Sequence, residues 1–216
     1  MDYDYTFLLP CLNEEKTLEF CIEEIKETIK RHSLNAEILV ADNNSTDNSR
    51  KIAEENGART IVEKKVGYGS ALIAGTKAAR GKYCIMGDSD GSYDFTNIKG
   101  FLDKINDKVD LVVGNRYISK QSRNTMKMSH IIGGRALSII GNMVVHSNIK
   151  DYNCGLRAYN REKILSLNLE QEGMEYATEM IMKAKINKLN VSEETTIMRN
   201  DLRRKKVPSK TNKGRN

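Results

Sequence analysis

The feature that most constrains this chain is an alternation. Short apolar runs of strand length are separated by segments whose apolar residues recur at helical spacing. Tyr5 to Leu9 reads as a buried strand, after which Leu18, Ile22, Ile25 and Ile29 repeat along one face of a helix. Glu37 to Ala41 predicts a second strand, Ser45 a cap for a helix running to about Asn56 and stopped by Gly57, and Arg59 to Val62 a third strand. Gly69 to Arg80 is an alanine-rich helix ended by Gly81, Lys82 to Met86 a fourth strand, Ile98 to Ile105 a helix, and Val109 to Val113 a fifth strand. Past residue 115 the pattern loosens: Met128 to Val145 and Glu175 to Lys185 read as helices, and Leu189 to Glu193 as a last strand. The β-α-β-α order predicts an α/β fold, a mostly parallel sheet with helices on both faces.

Composition fits one such domain. With 216 residues, 39% hydrophobic and 30% charged, the chain can bury a core, which excludes collagen-like, coiled-coil and wholly disordered classes. A net charge of +6 would by itself point to nucleic acid or a membrane. Residues 199–216, however, hold eight Lys and Arg and one Asp, and subtracting that +7 leaves the first 198 residues at −1. The expected organisation is a globular domain over residues 1–198 and a basic, flexible tail over 199–216. The tail lacks interleaved aromatic residues, which argues against a nucleic-acid partner. Its charge suits an anionic membrane surface.

No targeting signal is expected. The N-terminus has two acids and no basic region before its short apolar run, so no signal peptide is expected. No apolar run reaches the roughly 18 residues of a membrane span; the nearest, Ile131 to Val145, contains Arg135. Cys11, Cys21, Cys84 and Cys154 show no paired spacing and read as reduced, mostly buried thiols. The expected location is cytoplasmic.

Ligands bind open α/β sheets at the carboxyl ends of the strands. Here those ends carry Pro10-Cys-Leu-Asn-Glu14, Asp42-Asn-Asn-Ser-Thr-Asp47 and Asp88-Ser-Asp90. Asp88 and Asp90, two residues apart, can present two carboxylates on one side and hold Mg²⁺ or Mn²⁺ with positions left for phosphate oxygens; a plain turn explains the same triplet. Asp42 is either part of the turn before a helix or an acceptor for a base or ribose. Gly67-Tyr-Gly69 fails as a dinucleotide fingerprint because Leu72 stands where a third glycine belongs, and no P-loop or serine-hydrolase elbow is present.

The ordered set LPCLNEE, DNNSTDNS, GYGSALIAGTKAARGKY, MGDSDGSYDF, VVGNRY, DYNCGLRAY and GMEYATEM resembles the family 2 glycosyltransferases, most of all the polyprenyl-phosphate sugar transferases related to dolichyl-phosphate mannose synthase. The resemblance runs from about residue 4 to about residue 198. It implies a GT-A fold and an inverting, metal-dependent hexose transfer from a GDP- or UDP-sugar to a polyprenyl phosphate at the cytosolic membrane face. By motif match it places Pro10, Leu12, Glu14 and Asp42 in the nucleoside pocket and makes Asp88 and Asp90 the metal pair. Ser92 falls at a polar metal-neighbour position and Arg116 at a phosphate-receiving one.

Arg135 joins Arg116 as a candidate cation for the acceptor. A lipid phosphate is already an anionic nucleophile, so cations rather than a general base are required. His130 and His146 are the candidate bases if the acceptor is instead a glycan hydroxyl, although His130 reads more readily as a polar residue at a helix start. Arg157 reads as a structural ion-pair residue, while Glu175 and Glu179 could touch donor or acceptor. Met128 to Val145 is either a core helix or one lying at the bilayer. Relatives usually continue with membrane helices, so three readings stand open: a unit held by surface charge, one half of a pair with a separate membrane subunit, or an impaired copy. A noncatalytic nucleotide-sugar or lipid-binding module is the rival of another class.

Overall fold

Seven strands form one sheet in the order β3-β2-β1-β4-β6-β5-β7. The computed structural model describes residues 2–200 together with Leu202. The strands are β1 (Tyr3–Cys11), β2 (Ala36–Asp42), β3 (Arg59–Val62), β4 (Gly81–Met86), β5 (Leu111–Asn115), β6 (Arg157–Asn160) and β7 (Val191–Thr195). All neighbours pair in parallel except β6, which runs antiparallel to both β4 and β5. Between them run α1 (Leu18–Arg31), α2 (Ser49–Glu55), α3 (Tyr68–Ala78), α4 (Lys99–Lys104), α5 (Lys120–Thr125), α6 (Met128–Val145), α7 (Arg161–Leu165) and α8 (Tyr176–Ile186).

The central strands are buried on both faces, so they read as continuous apolar runs. Phe7, Leu8 and Leu9 of β1, Leu39 and Val40 of β2, and Cys84, Ile85 and Met86 of β4 are fully buried, and the inner face of α1 adds Leu18, Ile22 and Ile25. All four cysteines are free and buried. Burial pushes the Cys11 and Cys154 thiols up to about 11 and that of Cys84 up to about 12, which keeps them protonated.

Three local expectations change. The second helix starts at Ser49 rather than after Ser45, because the Ser45 N–H is turned onto the Asp42 carboxylate and its hydroxyl accepts the Asn13 N–H. Strand β6 and helix α7, unexpected from the sequence, occupy Arg157 to Leu165. Of the expected tail, Asp201 and residues 203–216 lie outside the described residues, whereas Arg199 and Leu202 pack on the body.

Candidate active site

The carboxyl ends of β1, β2 and β4 lie side by side, with Cys11 beside Asp42 and Leu8 beside Met86. From β1 the chain steps to β2 on one side and, after β3, returns to β4 on the other, which makes this edge the switch point of the sheet. A cavity of about 280 Å³ opens there, lined by Pro10, Leu12, Glu14, Tyr68, Asp88 and Asp90 among others, with exposed Met174 at one wall. The structure thus brings together five residues expected from sequence, namely Pro10, Leu12, Glu14, Asp88 and Asp90.

The two aspartates are held from several directions. Tyr68 donates its hydroxyl to Asp88 Oδ1 at 2.9 Å. Burial, and then the Asp88 charge, push the Tyr68 phenol well above its usual range, so it remains a donor. Gly155 backs onto the same carboxylate so closely that a Cβ there would stand 2.9 Å from Asp88 Oδ2. Asp90 Oδ1 accepts the Ser92 N–H at 2.9 Å, closing a tight turn. Between them Ser89 donates to the Pro10 carbonyl at 2.7 Å, and its own carbonyl accepts Thr17 Oγ1 at 2.8 Å, tying the loop to β1 and to the start of α1.

The facing wall is organised by Asn43. Its Nδ2 donates to the Glu63 and Lys65 carbonyls at 2.9 and 2.8 Å, and its Oδ1 accepts the Gly67 N–H at 2.7 Å. The chain then enters α3 with Tyr68 aimed at Asp88. The Glu172 carbonyl accepts the Gly69 and Ser70 N–H groups at 2.7 and 3.1 Å, and this close approach explains the glycines at 67 and 69. Glu179 acts on that loop rather than in the cavity. Its carboxylate accepts the Glu170 and Gln171 N–H groups and pairs with Lys183.

Other expected site residues lie elsewhere. Asp42 is fully buried, with both oxygens 3.3 Å from the Ser45 N–H and 3.4 Å between Oδ2 and Arg50 Nε. Ser92 is buried and meets Asp90 through its backbone. Arg116 grips the fully buried Asp151 through Nε and Nη2 at 2.7 and 2.8 Å. Arg135 is exposed on α6, its guanidinium 5.2 Å from the centre of the Tyr117 ring. His130 and His146 are exposed in the first turn and at the C-terminal cap of α6. Arg157 is fully buried, but backbone carbonyls of Tyr152, Cys154 and Ala177 hold it in place of the expected ion pair.

Two hard carboxylates on one cavity wall suit Mg²⁺ or Mn²⁺. Among the described residues no cluster of three or more His, Cys, Asp or Glu ligands occurs. A cation at Asp88 and Asp90 would therefore complete its shell with phosphate oxygens and water, as these ions commonly do. Tyr68, Asn43, Gly155 and Met174 complete the site; all four fall within sequence segments quoted above, but none was expected as a site residue.

Beside the site, α6 is amphipathic in the reverse sense for a domain helix. Its inner side is small and polar: Gly134 lies against Tyr117, Gly141 against Tyr152, and Ser138 Oγ accepts the Tyr152 N–H. Its outer side exposes Met128, Ile132, Ile139, Ile140, Met143 and Val144. With 18 residues it is long and apolar enough to cross a membrane by length and composition, longer than the apolar run expected from sequence. From Leu111 to Lys150 there are six Lys and Arg and no Asp or Glu.

Comparison with known proteins places these features in company. Residues 6–167 match glycosyl transferase family 2. The chain is 32% identical over 189 residues to the low-salt glycan biosynthesis hexosyltransferase Agl6 of Haloferax volcanii, a match covering 87% of this chain and 46% of that protein. It is 28% identical over 196 residues to the dolichyl-phosphate hexose transferase of the same organism, covering 88% and 82%. The chain thus spans about half the length of the first of these relatives. Among solved structures, glucosyl-3-phosphoglycerate synthase from Mycobacterium tuberculosis, in complex with Mn²⁺, UDP and glucosyl-3-phosphoglycerate, superposes with a TM-score of 0.72 at 19% identity, covering 92% of this chain and 72% of that one. That likeness identifies the sheet and its covering helices as the GT-A fold.

Proposed function

This chain belongs to glycosyl transferase family 2, and on that premise we propose that it moves a hexose from a nucleotide-diphosphate sugar to a polyprenyl phosphate at an anionic, cytosolic membrane surface. The observation that carries the reading is the convergence of Asp88 and Asp90 on one cavity at the switch point of the sheet.

The nucleoside of a GDP- or UDP-hexose lies against Pro10, Leu12 and Glu14, and its diphosphate reaches the two aspartates. Asp88 and Asp90 would hold Mg²⁺ or Mn²⁺, which would supply charge neutralisation for the diphosphate leaving group. Tyr68 keeps Asp88 turned toward the cavity, and the Asp90 turn keeps the second carboxylate beside it. A phosphate oxygen of the acceptor attacks the anomeric carbon as the bond to the diphosphate breaks, and this single displacement inverts the centre. The nucleophile is anionic at neutral pH, so no side chain need remove a proton.

The lipid acceptor is supported by α6. Its outward apolar side suits a helix lying in the headgroup boundary, and the acid-free stretch around it suits anionic lipid. In this reading exposed Arg135 of α6 meets the acceptor phosphate, whereas Arg116, locked to Asp151, holds the corner between β5 and the 151–155 loop. The dolichyl-phosphate hexose transferase relative is named for an acceptor of the same class.

The test is to incubate the full chain with Mn²⁺, radiolabelled UDP- and GDP-hexoses and a short polyprenyl phosphate. A labelled lipid that disappears with EDTA and in Asp90→Ala, with circular dichroism unchanged, is the expected result. Full transfer by Asp90→Ala or in EDTA would overturn the metal assignment. Label on a glycan hydroxyl instead of the lipid would overturn the acceptor.

A further inference from the structure

Beyond β7 the chain turns back across the outer side of the loop that carries Asp88 and Asp90. Met198 forms an antiparallel bridge with Tyr93. The Arg199 N–H donates to the Ser92 carbonyl at 2.7 Å, and the Leu202 N–H donates to the Asp90 carbonyl at 3.1 Å. Leu202 lies over Gly91, which has a φ of +75° and would bring a Cβ within 2.7 Å of Leu202 Cδ1. The segment is anchored on both sides. Upstream, Ser122 Oγ donates to the Thr196 carbonyl at 2.7 Å and accepts the Met198 N–H at 2.8 Å. Downstream, Arg199 forms a two-pronged pair with Glu24 of α1, 2.7 Å at each nitrogen, lies 5.1 Å from the centre of the Phe20 ring, and also donates to the Tyr93 carbonyl.

These contacts bear on the metal pair through the backbone. The Asp90 carboxylate is oriented by the Ser92 N–H, and the carbonyls of those same two residues are held by Leu202 and Arg199. The turn therefore cannot reshape without breaking two hydrogen bonds to the strap. A two-pronged arginine–carboxylate pair adds directional rigidity that a lysine could not match.

We infer that residues 196–200 together with Leu202 form a strap that sets the Asp88–Asp90 loop for its cation, with Arg199 as a positioning residue clasped by Glu24. The inference rests on the metal reading above and adds a reciprocal coupling to it. If the clasp favours cation binding, the cation must favour the clasp by the same factor.

The experiment measures Mn²⁺ binding to the full chain by paramagnetic resonance, with UDP and in parallel with GDP, and amide hydrogen exchange with and without the cation. In the natural chain Mn²⁺ with nucleotide should slow exchange at Arg199 and Leu202. Arg199→Ala and Glu24→Gln should each weaken Mn²⁺ about 10-fold, a coupling of ordinary size. Nucleotide affinity without metal should stay the same, and Arg199→Lys should recover part of the loss. A strap that merely supports the fold would lower thermal stability in these variants and leave Mn²⁺ affinity unchanged, which overturns the inference while sparing the metal reading. Absence of Mn²⁺ binding by the natural chain with either nucleotide overturns both.

Discussion

Tyr68, in the first turn of α3, donates its hydroxyl to Asp88 Oδ1 at 2.9 Å, joining the two helix and strand ends that frame the cavity. A hydrogen bond to a charged acceptor is worth about 1.5–3 kcal/mol, so its loss is worth roughly 10- to 100-fold in an equilibrium that depends on the carboxylate. Tyr68→Phe keeps the ring and should weaken Mn²⁺-dependent nucleotide binding by about 10-fold, read by calorimetry. The phenol is held well above its usual range by burial and by Asp88, so it does not ionise in the working range. The ratio of variant to natural affinity should accordingly stay constant from about pH 6 to about pH 9. A ratio that collapses toward unity at the alkaline end would show that Tyr68 loses its proton.

Gly155 offers a cleaner separation of site from scaffold. A methyl group there would stand 2.9 and 3.1 Å from the Asp88 oxygens and 3.2 Å from the Tyr68 hydroxyl, so the carboxylate must move. Overpacking of this kind costs about 1–3 kcal/mol. Gly155→Ala should leave the chain folded but reduce metal-dependent transfer by about 10-fold or more, in line with that cost. Unchanged kcat/KM would mean that Asp88 has slack the geometry does not suggest.

Asn43 makes a prediction about chemistry rather than space. Its amide donates to two carbonyls, Glu63 and Lys65, and an aspartate at 43 would face both with a negative oxygen. Asn43→Asp should destabilise the fold by about 1–3 kcal/mol, or several degrees in Tm for a domain of this size. Thermal unfolding checks this, and an unchanged Tm would show that the 63–67 loop is held by other contacts. Asn43 is thus the residue that shapes one wall of the site.

Much of the framework was legible because buried parallel strands and one-sided helices leave strong periodic signals. Six of the seven strands fall within a few residues of where their apolar runs predict them. β6 was not legible, since Arg-Ala-Tyr-Asn shows no apolar run although it lies between β4 and β5 and its Arg157 is fully buried. That guanidinium is satisfied by the Tyr152 and Cys154 carbonyls of the loop just before it and by the Ala177 carbonyl of α8, partners that no apolar periodicity encodes. The site divides in the same way. The strand-end rule finds Glu14, Asp88 and Asp90, whereas Tyr68, Gly155 and the strap that carries Arg199 and Leu202 reach them only through folding. The tail expected from residue 199 also begins too early, because charge counting cannot show that Arg199 meets Glu24.

The last prediction concerns α6, whose composition left open whether it is a core or a surface helix. In the structure its core-facing positions are Gly134, Ser138 and Gly141, and its large apolar side chains face outward. Full burial of one such side chain is worth about 1.5–3 kcal/mol, so a helix lying in a bilayer boundary would draw its affinity from several of them at once. Charge acts over the same patch, since each Lys or Arg at an anionic surface adds about 1 kcal/mol and loses it as salt rises. Ile139→Glu and Met143→Glu lie one turn apart on the exposed side and should each lower association with phosphatidylserine-containing vesicles by about 10-fold or more. Nucleotide binding and Tm should stay unchanged, because neither side chain supports the core. Raising salt should weaken the natural chain on anionic vesicles and leave its weak binding to neutral ones unaltered. Vesicle binding that survives both substitutions would show that the outward side of α6 meets something other than lipid, and the case for a lipid-borne acceptor would lose its structural support.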